Sequence, residues 1–214
     1  MKFYGYFRSS ASYRLRIALA LKNIPHDKAS VHLSRGGGEQ FKPEFRKLNP
    51  QELVPVVEDN GHLLTQSLAV LEYLEETHPQ PAILPKAPAD RARVRALSQI
   101  VACEMHPLNN LRVLNYLTKD LGLSEEAKLT WYRHWITLGF NALEVLLAGH
   151  PQTGKFCHGD TVTMADICLV PQVFNARRFD CPMDAYPTIV RIHDACQALP
   201  AFAESVPAKQ FDAE

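Results

Sequence analysis

Residues 54–68 read Val54-Pro55-Val56-Val57-Glu58-Asp59-Asn60-Gly61-His62-Leu63-Leu64-Thr65-Gln66-Ser67-Leu68. The run Val54 to Glu58 is strand-like, but its proline has no N–H to give a ladder and forbids an ordinary central position. Asp59-Asn60-Gly61-His62 carries Asn-Gly at its centre, the composition of a tight hairpin turn. Leu63-Leu64 then begins a strand antiparallel to the one before. Ser67 is placed to cap the helical run Leu68 to Thr77.

Upstream, Lys2 to Tyr6 is a short aromatic strand. Ser12 to Lys22 has helical spacing, with Leu15, Ala18, Leu19 and Lys22 on one face, and Asn23-Ile24-Pro25 stops it. Asp27 to Leu33 is a second strand, reached by a crossover that implies a parallel pair. Gly36-Gly37-Gly38 is a loop and Lys42 to Leu48 a short helical piece. The order β-α-β-(α)-β-β-α, with a proline opening its third strand, is the thioredoxin-like pattern. An X-Pro bond is the one kind that adopts the cis form cheaply. A cis Val54-Pro55 bond would turn the Val54 N–H and C=O outward, as an edge for an extended peptide.

Downstream, Pro79, Pro81, Pro85 and Pro88 mark a linker. Helical patterns follow over Asp90 to about Thr118, kinked at Pro107, then Glu125 to about Ala148, Thr163 to Arg177 and Pro187 to Leu199. The expected architecture is α/β plus all-α. A thioredoxin-like domain spans residues 1–81, a linker 82–88, and an all-helical bundle 89–214.

The 214 residues contain 23 Lys plus Arg and 23 Asp plus Glu, so no basic surface argues for nucleic acid or an anionic membrane. The first residues have no signal-peptide pattern, and no apolar run approaches the ~20 residues that span a bilayer. Five cysteines, Cys103, Cys157, Cys168, Cys181 and Cys196, form no C-x-x-C pair. They read as buried apolar thiols of a reducing compartment, with the cytoplasm as the expected location and no metal expected.

The turn between the first strand and first helix decides the chemistry. A redox thioredoxin has C-x-x-C there, and this chain has Arg8-Ser9-Ser10-Ala11-Ser12. Without a cysteine, sulfur chemistry at this point needs a thiol brought by a ligand. A helix N-terminus with serine hydroxyls suits a thiolate and lowers its pKa. One of the three serines, most naturally Ser12, would serve as the helix cap.

The segments YFRSSASYRLRIALALK (residues 6–22), LNPQELVPVVEDNGHLLTQSLAVLEYLEETHP (48–79), HPLNNLRVL (106–114) and GDTVTMADICLVPQVFNARRF (159–179) carry a resemblance over nearly the whole chain. The sequence resembles the glutathione transferase superfamily, and within it the zeta class, the maleylacetoacetate and maleylpyruvate isomerases. The first segment is similar to the zeta signature S-S-C-x-W/H-R-V-R-I-A-L, with Ala11 in place of the cysteine and Tyr13 in place of the Trp or His. Chemistry that depends on that cysteine does not carry over. Thr163 and Asp166 read as a capping box in which Asp stands for Glu or Gln.

The resemblance implies glutathione as cofactor, with Ser9 as the thiol-activating residue and Ser10 and Ala11 lining the same turn. Val54, with Pro55, would pair with the cysteinyl backbone. Gln66 and Ser67 would hold the γ-glutamyl carboxylate at a helix start, and Gln40 would reach the glycyl end. His106, Asn110 and Arg112 match positions that contact the ligand or close the cleft. Arg8, Arg178 and Arg112 are candidates for the substrate's carboxylates, since a guanidinium fork fixes a carboxylate's pose; Arg177 reads as a solvated neighbour.

The implied reaction is cis–trans isomerisation of a small dicarboxylate conjugated to a ketone, by reversible thiolate addition. It would belong to the breakdown of aromatic amino acids such as tyrosine and phenylalanine, or of other aromatic compounds. A homodimer is implied as well. Two rival readings are a general glutathione transferase or α-haloacid dehalogenase, and a catalytically silent interaction module of the same fold. Retention of the helix-start serine and the Gln-Ser pair argues against the silent module.

Overall fold

The computed structural model describes residues 1–214. Its contacts divide the chain into two compact units, Met1–Ala82 with Leu199–Glu214, and Ile83–Ala198.

In the first unit, β1 (Lys2–Gly5), α1 (Ser10–Leu21), β2 (Asp27–Ser30), α2 (Pro43–Leu48), β3 (Val56–Asp59), β4 (His62–Thr65) and α3 (Ser67–Thr77) follow the expected order. The sheet order is β2-β1-β3-β4. β1 pairs with β2 in parallel and with β3 antiparallel, and β3 pairs antiparallel with β4. Asp59 lies opposite His62, and the two residues between them, Asn60 (φ 48°) and Gly61 (φ 79°), both have the positive φ of the hairpin turn that Asn-Gly favours. β3 starts at Val56, two residues after the expected start, because Pro55 has no N–H to give the ladder; the Val54-Pro55 bond is cis.

α1 is buried from Ser10 to Leu19, so it also buries Arg14 and Arg16. Arg16 donates from Nε to the Ser205 carbonyl at 3.0 Å, and from Nη1 and Nη2 to the Tyr6 and Phe7 carbonyls at 3.4 and 3.0 Å. Burial pushes its pKa down to about 10, which leaves it charged at neutral pH. At the other end of α1, Lys22 Nζ donates to Glu75 at 2.9 Å and to the His78 and Pro81 carbonyls at 2.7 and 2.8 Å. All three of its donors are used, as a buried ammonium requires.

The second unit is helical, with α4 (Pro88–Gln99), α5 (Leu111–Asn115), α6 (Glu125–Leu147), α7 (Met164–Arg178) and α8 (Pro187–Gln197). The long helix expected to kink at Pro107 is instead broken. α4 widens into a π-type segment over Ile100–Met105 and a 3₁₀ turn over Pro107–Asn109. Asn110 is extended (φ −68°, ψ 147°), and its side chain accepts the Arg112 N–H at 3.1 Å to start α5. Proline lacks the N–H that would continue the ladder, and Asn110 supplies a fresh cap.

Thr163 and Asp166 form the expected capping box at the start of α7. Asp166 is fully buried and also accepts the Cys157 N–H at 2.8 Å; burial raises its pKa while these hydrogen bonds oppose the rise.

Two expectations about the second half change. Leu199–Glu214, assigned from sequence to the helical domain, belong with the first unit. They include the short helix α9 (Pro200–Ala203), and Ser205 and Asp212 bond to Arg16, Phe7 and Ser30 of the first unit. All five cysteines are free, and four are buried as expected, but Cys103 is exposed. Burial raises the Cys157, Cys181 and Cys196 thiols, which suits an inert packing role. No helix is long and apolar enough to cross a membrane.

Candidate functional site

The Arg8–Ser12 turn leaves the sheet between β1 and α1. Ser9 is the helix cap, with φ −68° and ψ 121°, and its Oγ accepts the Ser12 N–H at 3.2 Å. Ser12, the expected cap, instead points inward, fully buried, and its Oγ accepts the Tyr6 N–H at 3.3 Å. A hydroxyl has one proton to donate and two lone pairs, so Ser9 can cap the helix and still donate to an anion. Ser10 and Ala11 are buried beside it, and no carboxylate lies in the first turn of α1. Arg8 is exposed, with its guanidinium 4.8 Å from the centre of the Phe7 ring.

A second anion-suited point lies at the start of α3. Ser67 is the cap expected from sequence, but Gln66 holds that position and Ser67 is the first helical residue. Gln66 has φ 65° and ψ 110°, a conformation costing a non-glycine residue on the order of 1–3 kcal/mol. Its Nε2 donates to Gln51 Oε1 at 2.8 Å. Beneath it, Arg14, only 1% exposed, donates from Nη1 to Ser67 Oγ at 3.1 Å. The first turn of α3 also has no carboxylate, so a buried cation and a helix N-terminus act together there.

Val54 lies before the β3 ladder, and no protein group bonds its main-chain N–H or C=O. Gln40 is buried, with Nε2 donating to the Leu33 carbonyl at 3.2 Å and Oε1 without a protein partner.

The remaining expected residues lie in the second unit. His106 and Asn110 flank the 3₁₀ turn in the break between α4 and α5, and Arg112 lies in the first turn of α5, exposed. Arg178 is the last residue of α7, exposed, with its guanidinium 5.0 Å from the centre of the Phe179 ring. Two neighbouring residues of α6 support both places. Trp131 Nε1 donates to the Leu108 carbonyl at 2.8 Å, and the Tyr132 carbonyl accepts from Asn109 Nδ2 at 3.3 Å. The Tyr132 ring stacks on Phe179 at 3.9 Å. Arg177 lies 3.8 Å from Asp194 on the surface, as a solvated neighbour would.

A family model described as "Glutathione S-transferase, N-terminal domain" matches residues 8–77. A probable maleylacetoacetate isomerase from Vibrio cholerae is 51% identical over 210 residues, covering 98% of this chain and 97% of the relative. The holo structure of a maleyl pyruvate isomerase, described as a bacterial glutathione S-transferase in the zeta class, superposes with a TM-score of 0.97 at 47% identity, covering all of both chains. The chain belongs to the zeta class of the glutathione transferases. A maleylacetoacetate isomerase from Methylobacterium extorquens AM1, solved with bound malonate and GSH, superposes with a TM-score of 0.96 at 42% identity, again over all of both chains.

The first unit of this zeta-class chain fits glutathione on its own chemistry. The free Val54 main chain suits the peptide's backbone, the α3 start suits a carboxylate, and the Ser9 hydroxyl suits a thiolate. The unpartnered Gln40 Oε1 leaves an acceptor in reserve. Arg14, Arg16 and Gln51 are not among the residues expected from sequence. For the two arginines a signal was present, as they alternate with apolar residues in Tyr13-Arg14-Leu15-Arg16-Ile17, where burial of both faces forces each cation to find buried partners. Gln51 has no such local signal.

Proposed function

We propose that this zeta-class chain is a glutathione-dependent isomerase that converts a cis-configured dicarboxylate, conjugated to a ketone, into its trans isomer. Maleylacetoacetate and maleylpyruvate both belong to this substrate class. The observation that carries the reading is the α1 start, where Ser9 caps the helix and keeps a proton to donate, with neither cysteine nor carboxylate in the first turn. The relatives from Vibrio cholerae and Methylobacterium extorquens, both maleylacetoacetate isomerases by name, support it.

Glutathione, when bound, would supply a thiolate for reversible addition to the alkene, a chemistry that would not consume it. The chain's own residues keep that sulfur ionised and hold the substrate. Ser9 donates its hydroxyl proton in a hydrogen bond at the positive end of α1, and Ser10 and Ala11 shape the same turn. Val54, preceding cis Pro55, offers main-chain pairing. Gln66 and Ser67, backed by Arg14, hold the γ-glutamyl carboxylate, and Gln40 serves the glycyl end. His106, Asn110 and Arg112 are assigned ligand contacts through the zeta-class motif they match.

Arg8 and Arg178 are assigned the substrate's carboxylates, with Arg112 as a third cation. Each charge-assisted pair is worth about 1.5–3 kcal/mol, so Arg8→Ala and Arg178→Ala should each lower kcat/KM for the diacid by roughly ten- to hundredfold. Steady-state kinetics with saturating glutathione measure this. Unchanged values in both variants would remove the carboxylate-clamp assignment. We assign the protein to a homodimer in the cytoplasm, acting in the breakdown of tyrosine, phenylalanine or other aromatic compounds; its zeta-class kinship supports these assignments.

A further inference from the structure

Phe7, which leads into the Ser9 turn, is held by a segment about two hundred positions away in sequence. Asp212 Oδ2 accepts the Phe7 N–H at 3.1 Å and the Ser30 hydroxyl at 2.9 Å. From the other side of the same peptide, Arg16 donates to the Tyr6 and Phe7 carbonyls and to the Ser205 carbonyl. Ala213 packs against the apolar cluster that contains Tyr6, Phe7 and Val54. The N–H and C=O of Phe7 are thus fixed by side chains where the chain has left the regular ladder of β1, one residue before Arg8 and two before Ser9.

We infer that Asp212, acting with Arg16, is a positioning residue that sets where Arg8 and Ser9 present their side chains. The inference rests on the isomerase reading and adds to it a residue outside every motif that identified the chain. A displacement of about 1 Å at a reacting group can cost on the order of a hundredfold in rate, so a strap on the preceding peptide has a direct route to turnover without touching the substrate.

The full-length protein with Asp212→Ala and with Asp212→Asn tests this. Asparagine keeps an oxygen that can accept the Phe7 N–H but removes the charge. The readouts are the thiolate absorbance titration of bound glutathione, kcat and KM for the diacid, and hydrogen exchange of the Phe7 amide. Positioning predicts that Asp212→Ala raises the bound thiol's pKa, lowers kcat roughly ten- to hundredfold and speeds Phe7 exchange, and that Asp212→Asn restores most of each. A through-space charge effect predicts the opposite sign, a lower thiol pKa in both variants, and would overturn the inference. So would a loss of thermal stability with an unmoved titration and kcat, which is the signature of a merely structural strap. Phe7 exchange that speeds up in a protein whose wild type does not bind glutathione would overturn the isomerase reading, and with it the assigned role, while leaving the strap itself demonstrated.

Discussion

Ser9→Ala is expected to lower isomerase kcat by roughly 10²- to 10³-fold, the usual cost of removing one aimed donor from a site where negative charge is stabilised. The thiol pKa of bound glutathione should rise in the same variant. Ser9 has two roles, and they separate. Its lone pair caps α1 through the Ser12 N–H, and losing a cap costs about 1 kcal/mol, which leaves the protein folded. Its proton is the part assigned to chemistry. Ser9→Asp keeps a capping acceptor and adds a charge that the helix start favours, but it has no proton to give at neutral pH. It should therefore be stable and inactive, whereas Ser9→Thr should retain both roles. A thiolate titration unmoved by Ser9→Ala would transfer the activating role to Ser10.

Asp166→Ala should have the largest effect on stability. The carboxylate is fully buried and accepts from the Cys157 N–H, the Thr163 N–H and the Thr163 hydroxyl, each at 2.8 Å. Alanine leaves these donors buried and unmatched, at about 1–3 kcal/mol for each one that stays unpaired. Even a total of roughly 3–5 kcal/mol is a large part of the 5–15 kcal/mol that holds a typical domain. The expected result is a protein that accumulates poorly or unfolds at markedly lower temperature in a calorimetric scan, with glutathione failing to restore the midpoint. A midpoint within a degree or two of the wild type would show that the α7 start does not depend on this network.

The sequence is most legible where a local rule has one solution. Asn60-Gly61 can hardly make anything but a tight hairpin, and Thr163 with Asp166 spells a capping box at fixed spacing. It is least legible where several residues could meet the same need. Three serines within Ser9–Ser12 can each cap a helix, and the choice falls to whichever hydroxyl faces outward along the axis; Ser12 is taken by the Tyr6 N–H instead. The same competition displaced the α3 cap from Ser67 to Gln66, since Ser67 turns its hydroxyl to the buried Arg14. Pro107 could kink or break a helix, and the capping ability of Asn110 tips it to a break. The Asp212–Phe7 bond joins residues 205 positions apart and leaves no trace in any local pattern.

An isomerase of this kind turns a cis diacid into its trans isomer with a thiol that is returned. The direct measurement incubates the purified protein with maleylacetoacetate and with maleylpyruvate, with and without glutathione, and follows both the fumaryl product and total free glutathione. Rapid formation of trans product from at least one substrate is expected only when glutathione is present, with free glutathione unchanged after many turnovers. Glutathione lost in step with substrate, or no acceleration of either substrate, would contradict it.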